Sequence, residues 1–294
     1  MEVDGLVTPQ TFVETGLKTF SFQYPLTLEL DITRGNFQSL AEGIFRITNL
    51  SLDTRNALYQ NWNDQVTLPR YVKVWAGYQS WLSATDSYQT LPLIFSGQMK
   101  KCESFRSGTD WITQVEAWDG GQSNAQSDIS IGLTASSFSV IGVIEKLAQS
   151  LGVNIGYISP ALVYKAARGY SFVGRALDAL HDLSWALNAD AFIDLGKLYV
   201  VPKGQGISGL GSIVTLDSSF GIISSPIKQQ NNIDIELVFE PRIVVGQVIN
   251  LNSLQSVVNG QYVVSGVSHV GTISGAVGGD LRTKISCVFP QVYA

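Results

Sequence analysis

Apolar and polar residues alternate over short stretches through the first third of the chain. Leu26, Leu28, Leu30 and Ile32 are separated by Thr27, Glu29 and Asp31, the period of two of a half-buried strand, and Arg34-Gly35-Asn36 then reads as a turn. Phe45 and Ile47 repeat the pattern, as do Val72, Val74 and Ala76 around Lys73 and Trp75. Strands are predicted over 93–101 and 111–118, joined across Ser107-Gly108-Thr109-Asp110, and Asp119-Gly120-Gly121 ends the series. One short helix interrupts it. Ser51 is a good N-cap for residues 52–58, and Asp53 in the first turn complements the helix dipole. The stretch 79–90, QSWLSATDSYQT, has no period and is long for a hairpin loop. It is expected to project as a β-arm, with Trp81 and Tyr88 as the groups that touch a neighbouring subunit.

The pattern changes near residue 135. Ser137 stands where a helix cap belongs, Val140, Ile144, Leu147 and Leu151 share one helical face, and Gly152 is placed to stop the helix. A strand over 153–158 follows. A second helix is predicted from near Ser171, with Phe172, Ala176, Leu180, Leu183 and Leu187 at helical spacing. Residues 191–194 and 197–201 then form a hairpin across Leu195-Gly196. Beyond Pro202 and the run Gly204 to Gly209 the strands return, at 213–216, 233–239, 248–251, 262–270 and 281–289. The expected organisation is a β module over 1–134, a small α+β domain over 135–203 and a second β module over 204–294.

Composition adds a surface property. Only 15% of the 294 residues are charged, against about 25% in an ordinary globular chain, and uncharged polar residues and 28 glycines stand in their place. Such a surface suits a protein whose faces are covered by neighbours. The net charge is −5 and the only adjacent basic pair is Lys100-Lys101, so tight nucleic-acid binding is not expected. Cys102 and Cys287 are too far apart in sequence for a metal motif and read as free buried thiols. The acidic start, Met1-Glu2-Val3-Asp4, lacks an apolar signal core, and no apolar run approaches the ~20 residues of a membrane span. A soluble protein made in a reducing cytoplasm is expected.

No reactive constellation emerges. His181, Asp182 and Ser184 fall within one helical turn and point in different directions, so they cannot form a relay among themselves. His269 sits in an alternating strand and reads as structural. Gly206, Gly209 and Gly211 lead into a strand, not a helix N-terminus, and so do not form a phosphate loop. Glu14, Glu29, Glu42, Glu103 and Glu116 could each pair with an aspartate, but nothing selects a catalytic pair. The chain is expected not to be an enzyme, with no catalytic residue, cofactor or metal.

The segments DITRGN (31–36), FRITNLSLDTRNALYQ (45–60), VKVWAGY (72–78) and IFSGQMKKCESFRSGTDWITQVEAWDGG (94–121) occur in an order that resembles the hub proteins of contractile phage-tail baseplates, Mu-like phages included. GRALDALHDLSWALNADAFIDLGKLYVVPKG (174–204) is similar to that family's small helix-hairpin domain, and 260–290 to its last strand pair. The resemblance implies a mainly β fold of two tail-tube-like β-barrel modules plus the helix-hairpin domain. It also implies a homotrimeric ring that adapts a six-fold tail tube to a three-fold spike and lets DNA through its lumen. The partners implied are further copies of the chain, the tail tube or tube-initiator protein, the central spike protein and other baseplate subunits, with no membrane. The location implied is the virion tail baseplate, assembled in the host bacterial cytoplasm. The helix-bearing domain is expected outside the ring, because a barrel wall is made of strands paired edge to edge. A receptor- or carbohydrate-binding β-protein of a phage tail is the competing reading, resting on the aromatic stretch from Trp81 to Tyr88.

Overall fold

Strand alternation in the first third becomes β1 (Glu2–Leu6), β2 (Leu17–Ser21), β3 (Leu28–Gly35), β4 (Glu42–Thr48), β5 (Tyr71–Trp75), β6 (Leu93–Ser107) and β7 (Asp110–Trp118). The computed structural model describes residues 1–6, 17–35, 41–61, 69–83, 85–119, 128–134, 139–163, 169–207, 209–210, 213–275 and 280–290. Leu30 and Ile32 of β3 and Phe45 and Ile47 of β4 are buried, as the period of two requires. Leu26 lies outside the strand and is exposed. The short helix α1 (Leu52–Leu58) starts where expected, with Ser51 Oγ accepting the Thr54 N–H. These strands lie side by side in the order β3-β4-β7-β6-β5-β1-β2. A core of Phe45, Ile47, Leu58, Val72, Ile94 and Phe95 packs beneath them. Asn36, Gly120 and Gly121 of the expected turns lie outside the described residues.

The stretch 79–90 is not a β-arm. It forms two single 3-10 turns, Gln79–Trp81 and Tyr88–Thr90, with no strand among its described residues. Local bonds compete with a ladder here: Asp86 accepts the Ser83 N–H at 2.8 Å, and Trp81 N–H reaches back to the Tyr78 carbonyl.

In the middle of the chain come β8 (Asp128–Thr134), α2 (Val140–Leu151), β9 (Asn154–Ile158), α3 (Pro160–Val163), β10 (Gly169–Arg175), α4 (Ala176–Leu187), β11 (Ala189–Asp194) and β12 (Lys197–Pro202). Ser139 caps α2, while Ser137 lies outside the described residues; Gly152 ends it in the left-handed conformation, φ 67°. The second helix begins at Ala176, five residues later than its spacing suggested. Residues 169–175 are a strand paired with β8, and Phe172 packs on the helical core from that strand. Val140, Ile144, Leu147 and Leu151 of α2 meet Leu180, Leu183 and Leu187 of α4 in one core with Ile193, Leu198 and Val200. The hairpin β11–β12 turns across Leu195 (φ 51°) and Gly196 (φ 73°), the left-handed pair that a two-residue hairpin needs. It is buried on both faces, because Phe192 and Val201 enter the neighbouring β core.

That third core lies under β13 (Val214–Asp217), β15 (Asn232–Val238), β16 (Val248–Asn252), β17 (Gly260–Ile273) and β18 (Arg282–Val288), with the exposed β14 (Ile227–Lys228) at the edge beside β15, and includes Leu216, Ile235, Ile249, Val264 and Ile285. The strand β17 joins the two β regions. Its first residues pair with β16, and its register shifts between Val264 and Gly266. From Gly266 onward it pairs with β3. At this crossing Gly35 adopts φ 84°, and an added Cβ there would lie 2.6 Å from the Ser265 carbonyl oxygen. The chain is thus mainly β. One thirteen-stranded sheet runs from β14 to β2, with β13 and β16 branching from β17, and no described pairing closes it into a barrel.

Candidate functional site

Two places concentrate polar chemistry: a buried charge cluster where the helix-bearing unit meets the sheet, and an aromatic surface beside it. In the first, the alternation of β3 buries Arg34 completely. Its guanidinium donates from Nε to Asp194 Oδ1 at 2.8 Å and from Nη2 to Oδ2 at 2.7 Å. Asp194 ends β11, so this two-pronged pair ties the sheet to the hairpin. On the other side of the turn, Gly196 donates its N–H to Asp119 Oδ1 at 2.8 Å. Asp119 follows β7 and is itself buried.

Burial pushes the Asp119 carboxyl up to about 7, helped by the negative charge of Asp194 and opposed by the Gly196 and Leu195 amides and by Arg34. Burial alone would lower the Arg34 guanidinium, but Asp194 outweighs it and leaves Arg34 raised. Tyr199 of β12 is raised by burial and by Asp194. His269 of β17 is pushed down to about 3 by burial and by the charge of Arg34. Its Nδ1 lies 3.0 Å from Thr283 Oγ1. That oxygen also accepts the Glu240 N–H, so the Thr283 hydroxyl hydrogen is free to point at Nδ1. His269 is therefore neutral and packed, edge-on to Phe239 at 5.4 Å.

The aromatic surface contains Trp81, which is 38% exposed. Its ring meets Tyr78 edge-on at 5.2 Å and lies under the Arg242 guanidinium at 4.7 Å. Arg242 is gripped by both carboxylate oxygens of Glu240, and Tyr78 Oη donates to the Phe239 carbonyl at 2.7 Å. Trp81 thus spans the first β region and the 239–242 turn of the last. The side chain of Tyr88 lies outside the described residues. A cleft of about 660 Å³ opens nearby, walled by Phe22, Leu28, Trp75, Leu82, Leu91 and Ile273.

Sequence reading missed Arg34, Asp119, Asp194, Glu240 and Arg242. The signal for three of them was present: Arg34, Asp119 and Asp194 continue the inward-facing positions begun by Leu30 and Ile32, by Val115 and Ala117, and by Phe192, so the strand period carries each charge inward to where it needs a partner. Ser184 Oγ donates to the Leu180 carbonyl of its own helix, so it does not engage His181. Gly206 precedes a strand, and Gly211 lies outside the described residues. Among the described residues, no group of three or more His, Cys, Asp or Glu side chains could hold a metal ion, and no helix is long and apolar enough to cross a membrane. Both cysteines are buried, and burial pushes the Cys102 thiol up to about 12.

The fold is similar along its whole length to the 43 kDa tail protein of prophage MuSo2 from Shewanella oneidensis, with TM-score 0.60 and 9% identity, covering 99% of this chain and 98% of that one. A tail protein from Neisseria meningitidis MC58 aligns with TM-score 0.57 and 10% identity, over 91% of this chain and 97% of that one. An Escherichia coli component of the type VI secretion system, itself structurally similar to the T4 bacteriophage tail proteins gp27 and gp5, aligns with TM-score 0.52 and 11% identity, over 93% and 78%. No curated protein sequence matches the chain significantly. Residues 11–269 match the family described as baseplate hub gp41, and with a sheet-and-insert fold shared end to end with tail proteins, the chain belongs to that phage-tail baseplate hub family.

Proposed function

We propose that the chain is the structural hub of a phage tail baseplate, a homotrimeric ring between a six-fold tail tube and a three-fold spike. The observation that carries this reading is the family match over 11–269 together with a fold that holds two β cores in one sheet. Two tube-type modules per chain, taken three times, give the six positions that a six-fold tube presents, while the chain count matches a three-fold spike. In this reading residues 1–134 and 204–294 are barrel modules, 135–203 is a peripheral domain, and the partners are further copies, the tube or its initiator, the spike and other baseplate subunits. The ring assembles in the host cytoplasm and enters the virion tail.

DNA passes through the lumen without being held. A net charge of −5 with no basic cluster supports this, since affinity for duplex DNA comes from cations that neutralise phosphates. Trp81 and Tyr88 contribute to a subunit contact, Trp81 through the part of its ring that Arg242 and Tyr78 leave exposed. No catalytic step is assigned to the chain.

The test is the solution mass of the purified protein, alone and mixed with its spike, followed by imaging of the product at low resolution. A trimer with a central opening is expected. A monomer that stays monomeric with the spike present overturns the reading.

A further inference from the structure

The helix-bearing unit and the sheet share a boundary where three charged side chains are withdrawn from water together. Arg34 arrives from β3, Asp194 from the end of β11 and Asp119 from the end of β7. Counting charges shows the imbalance: two carboxylates face one guanidinium, and Asp194 already occupies Nε and Nη2. Arg34 Nη1 has no hydrogen-bond partner among the described residues. Among the described residues the remaining titratable neighbours add no cation. Tyr199 of β12 is neutral, and His269 of β17 is kept neutral by burial and by the charge of the Arg34 guanidinium. A second full negative charge in this site is therefore opposed by burial and by Asp194.

We propose that Asp119, Arg34 and Asp194 form a proton-operated clasp, closed when Asp119 carries a proton, that sets how firmly the β11–β12 hairpin and its helices are held on the sheet. The protonated carboxyl makes the cluster neutral while Asp119 Oδ1 still receives the Gly196 N–H. Deprotonation leaves one uncompensated negative charge at the joint, and parting of the hairpin from the sheet returns that charge to water. The hairpin is the element that would yield, because Asp119 holds the turn residue Gly196 and Asp194 sits beside it in the chain. The raised carboxyl of Asp119, at about 7 against 3.8 in water, sets the direction. The open state binds fewer protons than the closed one between these values, so opening becomes easier as pH rises through the window and levels off above it. This inference stands whether or not the hub is a ring.

Hydrogen exchange of the full-length protein tests it. Exchange of residues 189–202, divided by the intrinsic chemical rate and by the exchange of residues 110–118, should rise by up to about tenfold per pH unit between pH 5 and 7 and then level off. In Asp119→Asn, which keeps an oxygen for the Gly196 amide, the same ratio should be flat. A wild-type profile equal to that of D119N, or a rise shared equally by 110–118, overturns the proposal. If D119N does not fold, carbon-13 titration of the aspartate carboxyls in the wild-type chain decides: one carboxyl should titrate near neutrality, and none titrating above pH 5 refutes the clasp.

Discussion

The guanidinium of Arg242 lies over the indole of Trp81, 4.7 Å from the ring centroid, and joins a loop after β5 to a turn after β15. Such a contact at a part-exposed site is worth about 0.5–1 kcal/mol, and 38% of the residue's surface stays exposed to a neighbour. In Trp81→Ala the melting temperature of the isolated subunit should fall by less than about 4 °C, while assembly of the proposed ring is impaired. A much larger drop, measured by calorimetry, would place Trp81 in the core and remove it from the interface.

Arg34 is the one cation of its buried cluster among the described residues. Arg34→Met strands Asp194 without its partner and should cost about 3–5 kcal/mol at neutral pH. The double variant Arg34→Met with Asp194→Leu should recover most of that loss, because neither charge is then left buried alone. Urea unfolding of the single and double variants measures both. A double variant no more stable than R34M refutes the pairing as the cause.

Two buried groups tilt stability in opposite directions with pH. His269 titrates at about 3 in the fold against 6.5 in water, so the unfolded chain takes up the proton first and stability falls as pH drops from 6.5 toward 3. Asp119, at about 7 against 3.8, makes stability fall as pH rises from 3.8 to 7. Each slope is about 1.4 kcal/mol per pH unit, and between pH 4 and 6.5 the two nearly cancel. Asp119→Asn should therefore expose acid lability, and His269→Asn should expose the reverse slope. Unfolding free energies at pH 4.5, 5.5 and 6.5 read the difference, and unchanged slopes in both variants would contradict it.

Gly35 marks the crossing from β16 pairing to β3 pairing along β17. Its φ of 84° and the Ser265 carbonyl 2.6 Å from an added Cβ leave no room for alanine. Gly35→Ala should destabilise by more than the ~1 kcal/mol of a strained backbone alone, since two strands must also separate. Thermal melting checks the size, and a neutral substitution would show that the crossing has slack.

Electrophoretic mobility of duplex DNA at low salt should not change on adding micromolar protein. A shift at that concentration would require a cationic surface that a chain of net charge −5 does not show in its sequence.

Features that depend on near neighbours were legible in the sequence. The alternation of Leu28, Leu30 and Ile32 and of Phe45 and Ile47, the Ser51 cap, the Gly152 stop and the Leu195-Gly196 hairpin are all local, and each follows from a side-chain period or a backbone preference. The order of family-like segments was legible for the same reason: it is linear. The sequence alone thus determined a mainly β chain with a small helical insert and a baseplate-hub likeness. Residues 169–175 mark where that ends. Phe172 and Ala176 fit a helical spacing as well as a strand leading into a helix, and only pairing with β8, some forty residues earlier, decides for the strand. Tertiary structure alone decided that β17 leaves β16 for β3, that Phe192 faces the β core and not the helices, and that Arg34 meets Asp194 across 160 residues. Neither propensity nor period carries such information, because a buried charge or a shared sheet edge is stable only once a distant part of the chain supplies its partner.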